Sequence, residues 1–98
     1  MGLHPDFLRL PIAHRGLHDE ALPENSMGAF LAAMALGYGI ECDIQRAMDG
    51  TPMVFHDYEL ARLTDIKNGT VASSTPAQLT KLHLLETGET IPTLRQML

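Results

Sequence analysis

Three short polar clusters, each closing an apolar stretch, hold the side chains best suited to chemistry: His14-Arg15, Glu41 with Asp43, and His56-Asp57. Two carboxylates two residues apart on an extended chain point the same way and repel, and burying both unpaired would cost several kcal/mol. A hard divalent ion with oxygen ligands resolves that conflict, and these donor types favour Mg²⁺ or Ca²⁺ over zinc. Two histidines can take and give a proton near neutral pH. Arg15 carries the planar fork that matches a phosphate. A cation, two proton carriers and a phosphate-binding guanidinium are together the parts that phosphoester cleavage needs.

Taken singly, each cluster has a plainer reading. Glu41 and Asp43 also fit the solvated face of an edge strand. His14 and His56 also fit ordinary half-buried histidines, and Arg15 a surface ion-pair partner. Glu24 suits the approach to a helix N-terminus. Cys42 falls on the apolar side of its segment and reads as core rather than nucleophile. His4, His18 and His83 stand in no motif and read as surface residues, while Met27, Met34 and Met53 read as packing.

The elements that must position these side chains have readable punctuation. Leu10-Pro11-Ile12-Ala13 is an apolar run that stops at His14-Arg15-Gly16, which predicts a strand entering a loop. The polar loop Leu17 to Glu24 leads to Asn25 or Ser26, either of which can cap a helix. Met27, Phe30, Leu31 and Met34 recur at helical spacing, which predicts one buried stripe, and Gly37 supplies the stop. From Gly39 to Gln45 the chain alternates, with Ile40, Cys42 and Ile44 on one side and Glu41, Asp43 and Gln45 on the other.

Asp49-Gly50 is a hairpin-turn dipeptide, and Pro52 to His56 reads as the returning strand. Too few residues separate the two strands for a parallel crossover, so an antiparallel hairpin is expected. With Asp49-Gly50 as a two-residue loop, Met48 faces Thr51 and Asp43 faces His56, their Cβ atoms about 5 Å apart. Another turn length would break that pairing. Asp57 to Thr75 reads as a long connection with a turn at Asn68-Gly69. Ser74 or Thr75 caps a short helix with Pro76 at its first position, running through Leu79 and Leu82. A turn at Thr87-Gly88-Glu89 precedes a last helix capped by Thr93 and containing Leu94, Met97 and Leu98.

Composition narrows the function classes. Seven basic residues against twelve acidic ones leave a net charge of −5, which argues against a nucleic-acid footprint and against a polybasic membrane patch. Hydrophobic residues make up 45% of the chain, close to the globular average, so disorder is not expected. A single cysteine cannot staple the fold internally. The start of the chain carries no signal-peptide pattern, and Asp6 breaks the myristoylation pattern after Met1-Gly2. Met27 to Leu36, the longest mostly apolar stretch, is too short to span a bilayer. A cytoplasmic protein without a stable membrane anchor is expected.

The joint pattern carries a resemblance. His14-Arg15-Gly16, Pro23-Glu24-Asn25-Ser26, Glu41-Cys42-Asp43, Asp49-Gly50 and His56-Asp57, in that order and spacing, resemble the amino-terminal signature of the glycerophosphodiester phosphodiesterase family. Arg62-Leu63-Thr64 and Ile91-Pro92-Thr93-Leu94 resemble later stretches of it. The resemblance implies a TIM (β/α)₈ barrel in the α/β class, and hydrolysis of glycerophosphodiesters to glycerol 3-phosphate and an alcohol with Mg²⁺ or Ca²⁺. It also implies roles: His14 and His56 as the acid/base pair, Arg15 on the phosphate, Glu41 and Asp43 on the metal, and Glu24 and Asn25 in the loop that shapes the site.

Two departures stand out. Ala47 and Met48 occupy positions where the family usually carries Thr or Ser followed by Lys, and the family's third acidic metal ligand falls beyond Leu98. A barrel of this kind needs ~250 residues. The 98 residues, with three strand candidates, are therefore expected to be the amino-terminal part of one, truncated at the C-terminus, inactive and poorly stable alone. The alternatives are a related phosphodiesterase for another phospholipid head group, and a non-catalytic fragment or partner chain.

Overall fold

In the computed structural model, which describes residues 12–98, the chain runs through four short strands and three helices. The expectations for the chain's start, for His4 and for Leu10-Pro11 lie outside the described residues. Strand β1, Ile12–His14, pairs in parallel with β2, Gly39–Glu41, so that His14 and Glu41 are direct partners at the carboxyl ends of both strands. Helix α1, Met27–Ala35, connects them.

The ends of α1 follow from local chemistry. Ser26, extended at φ −93° and ψ 156°, accepts a hydrogen bond from the Ala29 amide at 3.1 Å and is the cap. At the other end Gly37 takes φ 70°, its amide bonds the Met34 carbonyl, and the Tyr38 amide bonds that of Ala33. This is the double closure of a helix ended by a left-handed glycine.

The buried face of α1 includes Phe30 of the expected stripe, with Met27 half-buried, but is rotated away from Leu31 and Met34. Ala29, Phe30 and Ala33 are buried, whereas Leu31 and Met34 are 58% and 62% exposed. Beside Phe30 the inner face has two alanines, and at Ala29 the chain leaving β1 passes very close. A Cβ on Gly16 would lie 2.9 Å from the Ala29 backbone carbon and Cβ, and Gly16 sits at φ 79°. Only glycine fits there. The larger apolar residues are left on the outer side.

The alternating segment from Gly39 to Gln45 is two strands rather than one. It breaks at Cys42-Asp43 and resumes as β3, Ile44–Arg46, which pairs antiparallel with β4, Pro52–Val54. The hairpin is as expected, but its register is shifted by one. Ile44 faces Val54, and the Phe55 amide donates to the Asp43 carbonyl, so Asp43 stands opposite Phe55 and not His56. The cause is the turn. Ala47 closes onto Thr51 and also accepts from the Gly50 amide, giving a three-residue loop with Gly50 at φ 90°. Cys42, expected in the core, is half-buried, and His56 lies beyond the end of β4.

After β4 the chain has little regular structure but a closed core. Met53, Phe55, Leu60, Leu63, Val71, Leu79, Leu84 and Ile91 pack with Ala47, and Leu82 lies against them. Helices α2, Pro76–Leu79, and α3, Leu94–Met97, each begin with a capping box, Thr75 with Gln78 and Thr93 with Gln96. Helix α2 ends at Leu79, short of the expected Leu82. No helix among the described residues is long and apolar enough to cross a membrane.

Candidate active site

The carboxyl end of β1 turns abruptly. Arg15 takes φ 57° and Gly16 φ 79°, and the Gly16 amide closes onto the Ala13 carbonyl. The Arg15 carbonyl receives the amide of Asn25, itself at φ 56°, at 2.8 Å. Two left-handed residues thus dock the Pro23–Ser26 loop against the end of β1. A left-handed arginine costs roughly 1–2 kcal/mol, which this docking must offset. The loop is buried although polar: Glu24 is 7% exposed and Asn25 1%.

Buried polar groups need partners, and here they form a chain. Asn25 donates from Nδ2 to Asp43 Oδ2 at 3.2 Å and accepts from the Asp43 amide at 3.3 Å. Arg15 Nη1 donates to Glu24 Oε2 at 3.1 Å. Its Nε lies 3.2 Å from Asp43 Oδ2 but is not aligned as a hydrogen bond. Arg62 then bonds both Glu24 oxygens, Nη1 to Oε1 at 2.8 Å and Nη2 to Oε2 at 2.9 Å. The same guanidinium bonds Asp57, Nε to Oδ2 at 2.8 Å and Nη2 to Oδ1 at 3.1 Å. Asp57 Oδ1 in turn lies 2.7 Å from His56 Nδ1. Gln45 Nε2 donates to the His56 carbonyl at 2.9 Å, steadying the backbone there.

The electrostatics follow this chain. Burial would raise the Glu24 carboxyl, but the hydrogen bonds and charge of Arg62, with Arg15 and His18 behind them, outweigh it and hold the pKa low. The hydrogen bonds from Arg62 lower Asp57 to about 2 against the opposing effect of burial, and the hydrogen bond and charge of His56 add to the lowering. Arg62 is held further toward its charged form by Glu24 and then Asp57. Burial pushes the Cys42 thiol up, helped by the charges of Glu41 and Asp43 on either side, which makes it a poor nucleophile.

His14 and Glu41 form a second, smaller contact. His14 Nε2 lies 3.0 Å from Glu41 Oε2, yet that buried oxygen has no aligned hydrogen bond. An unsatisfied buried carboxylate oxygen beside a second carboxylate, Asp43, suits a hard cation with oxygen ligands. Glu41 and Asp43 would supply two such ligands; among the described residues no group of three or more His, Cys, Asp or Glu is arranged to hold a metal.

The sequence-derived candidates therefore fall into two groups. Arg15, Glu24, Asn25 and Asp43 are brought together, His14 meets Glu41, and His56 joins through Asp57 and Arg62. His56 borders a hollow of about 470 Å³ with Gln45, Asp57, Tyr58 and Glu59. A larger groove of about 710 Å³ lies to one side, lined by Arg62 with Leu63, Ile66, Lys81, Leu82 and Leu85 among others. The residues that sequence reading missed are Arg62 and Gln45. Arg62 was visible only as part of an Arg-Leu-Thr string, because its partners are 38 and 5 residues away. His18 and His83 are exposed, as expected.

Comparison with known proteins bears on this arrangement. The model of the glycerophosphoryl diester phosphodiesterase family matches residues 14–98. A Mycobacterium tuberculosis protein named "Probable glycerophosphodiester phosphodiesterase 2" is 38% identical over 91 residues, 92% of this chain and 34% of its own length. A glycerophosphodiester phosphodiesterase of Caldanaerobacter subterraneus is 40% identical over 95 residues, 90% of this chain and 38% of its own. The chain thus spans little more than a third of these relatives. A solved phosphodiesterase of Oleispira antarctica, in complex with the product sn-glycerol-3-phosphate, superposes with a TM-score of 0.76 at 35% identity, over 92% of this chain and 38% of that one. The Thermotoga maritima glycerophosphodiester phosphodiesterase gives 0.75 at 30% identity, over 91% and 38%. The α/β fold is that of these TIM-barrel neighbours, of which the chain represents a portion. With its family motifs gathered at the ends of β1, β2 and β4, the chain belongs to the glycerophosphoryl diester phosphodiesterase family.

Proposed function

We propose that this chain is the amino-terminal part of a metal-dependent barrel that hydrolyses glycerophosphodiesters to glycerol 3-phosphate and an alcohol. The observation that carries the reading is that His14 meets Glu41 and Arg15 meets Asp43 just past the carboxyl ends of β1 and β2, the face on which barrels of this class place their sites, with His56 tied to the same loop through Asp57, Arg62 and Glu24. The product named for the Oleispira antarctica neighbour supports the substrate class.

Each side chain has a task in this scheme. Arg15, bonded to Glu24 through Nη1 and drawn toward Asp43 by charge, keeps its other N–H donors for the phosphate. Glu41 and Asp43 would hold the cation, Mg²⁺ or Ca²⁺, which when bound neutralises phosphate charge and acidifies a coordinated hydroxyl. His14 and His56 divide the proton work: one removes the proton of the attacking hydroxyl and the other protonates the departing alcohol oxygen. Glu24 and Asn25 keep the Pro23–Ser26 loop seated beneath them. These groups read the phosphate rather than the alcohol, so a different head group is the second reading.

The test is product analysis with the complete barrel and glycerophosphocholine. Glycerol 3-phosphate and choline are expected, with activity lost in EDTA and restored by Mg²⁺ or Ca²⁺. Release of phosphocholine and glycerol, or full activity in EDTA, would overturn the scheme. Residues 1–98 alone are expected to be inactive.

A further inference from the structure

We propose that Arg62 is a positioning residue for His56: it clamps the Asp57 carboxylate that decides which imidazole nitrogen carries the proton, and anchors that clamp to buried Glu24. The inference deepens the proposed function and rests on it for His56's part in catalysis.

A guanidinium has two edges that each match a carboxylate, and Arg62 uses both. Its Nε and Nη2 take both oxygens of Asp57, and its Nη1 and Nη2 take both oxygens of Glu24. Asp57 belongs to the exposed loop after β4 and could rotate freely by itself. With both oxygens pinned it cannot turn away from the ring beside it. Glu24 is in the buried Pro23–Ser26 loop, so the clamp is tied to the best-packed part of the site.

The consequence for His56 follows from donor accounting. An ionised carboxylate can only accept, so the 2.7 Å contact between Asp57 Oδ1 and His56 Nδ1 requires the proton on Nδ1. The neutral ring then has its lone pair on Nε2, ready to accept a proton. Lysine could keep the charge at position 62 but not both two-toothed contacts.

The test reads the tautomer and turnover separately in the complete protein. Nitrogen-15 shifts of His56 are expected to show Nδ1–H in the wild type and to move toward Nε2–H in Arg62→Gln and, less far, in Arg62→Lys. Turnover is expected to fall by up to about 10²-fold in kcat with KM little changed, and exposed Arg95→Gln to change neither. Unchanged His56 shifts and unchanged kcat in folded Arg62→Gln would overturn the proposal. If that variant does not fold, Arg62→Lys decides by the same criterion. Near-normal turnover of His56→Ala would instead sink the acid/base scheme, leaving the tautomer measurement to stand by itself.

Discussion

The β1–α1–β2 region has the longest helix and the parallel strand pair, yet Leu31 and Met34 on its helix and Leu36 capping it remain at least 58% exposed. The region from β3 onward has three-residue strands and four-residue helices, yet buries nine residues in one cluster, most of them 3% exposed or less. Regular secondary structure and closure of a core are thus separate achievements. The hairpin and its long connection fold back on themselves through local turns and caps. The β1–α1–β2 unit instead leaves an apolar outer face, Leu31, Met34 and Leu36, open to solvent. The site sits at the seam, and Arg62 from the closed region reaches Glu24 in the open one.

Changes on either side of the seam should therefore differ in cost. The largest loss is expected from Phe55→Ala in the closed core, about 3–5 kcal/mol by urea unfolding of the complete protein. A cost below 1 kcal/mol would show that this cluster is not what holds the region.

Acid should act next, on the seam itself. The Asp57 carboxyl is lowered from 3.8 to about 2 in the folded chain, so its contribution is fully present above pH 4 and fades as pH falls toward 2. Glu24 shifts in the same direction. Stability measured across pH 5 to 2 should fall more steeply in the wild type than in Asp57→Asn; equal slopes would deny the linkage.

Smaller effects separate the two regions further. Ser26→Ala removes the α1 cap and should cost about 1 kcal/mol, with faster amide exchange confined to α1. Leu31→Ser on this chain should stay within about 0.5 kcal/mol. A larger loss there would mean that the outer face of α1 is already buried.

The same contrast explains what the sequence could tell. Ser26, Gly37, Thr75 and Thr93 were legible as helix boundaries because a cap is made between residues three or so apart. The hairpin was legible from Asp49-Gly50, but not its register, since one extra loop residue moved Asp43 from His56 to Phe55. Periodicity marked α1 and placed Phe30 correctly but set Leu31 and Met34 on the buried side, because the close approach of Gly16 to Ala29 is a contact with another part of the chain. Candidate site residues were legible as clusters and as a family pattern. Their connection was not, because it passes through Arg62, whose role exists only once two loops meet.

The central claim is that His14 and His56 move the protons of phosphodiester cleavage. It is tested most directly by replacing His14 and His56 separately with Ala in the complete barrel and measuring glycerol 3-phosphate release. Each change should lower kcat by roughly 10²–10⁴-fold with the fold intact. Turnover near the wild-type rate in either variant would contradict it.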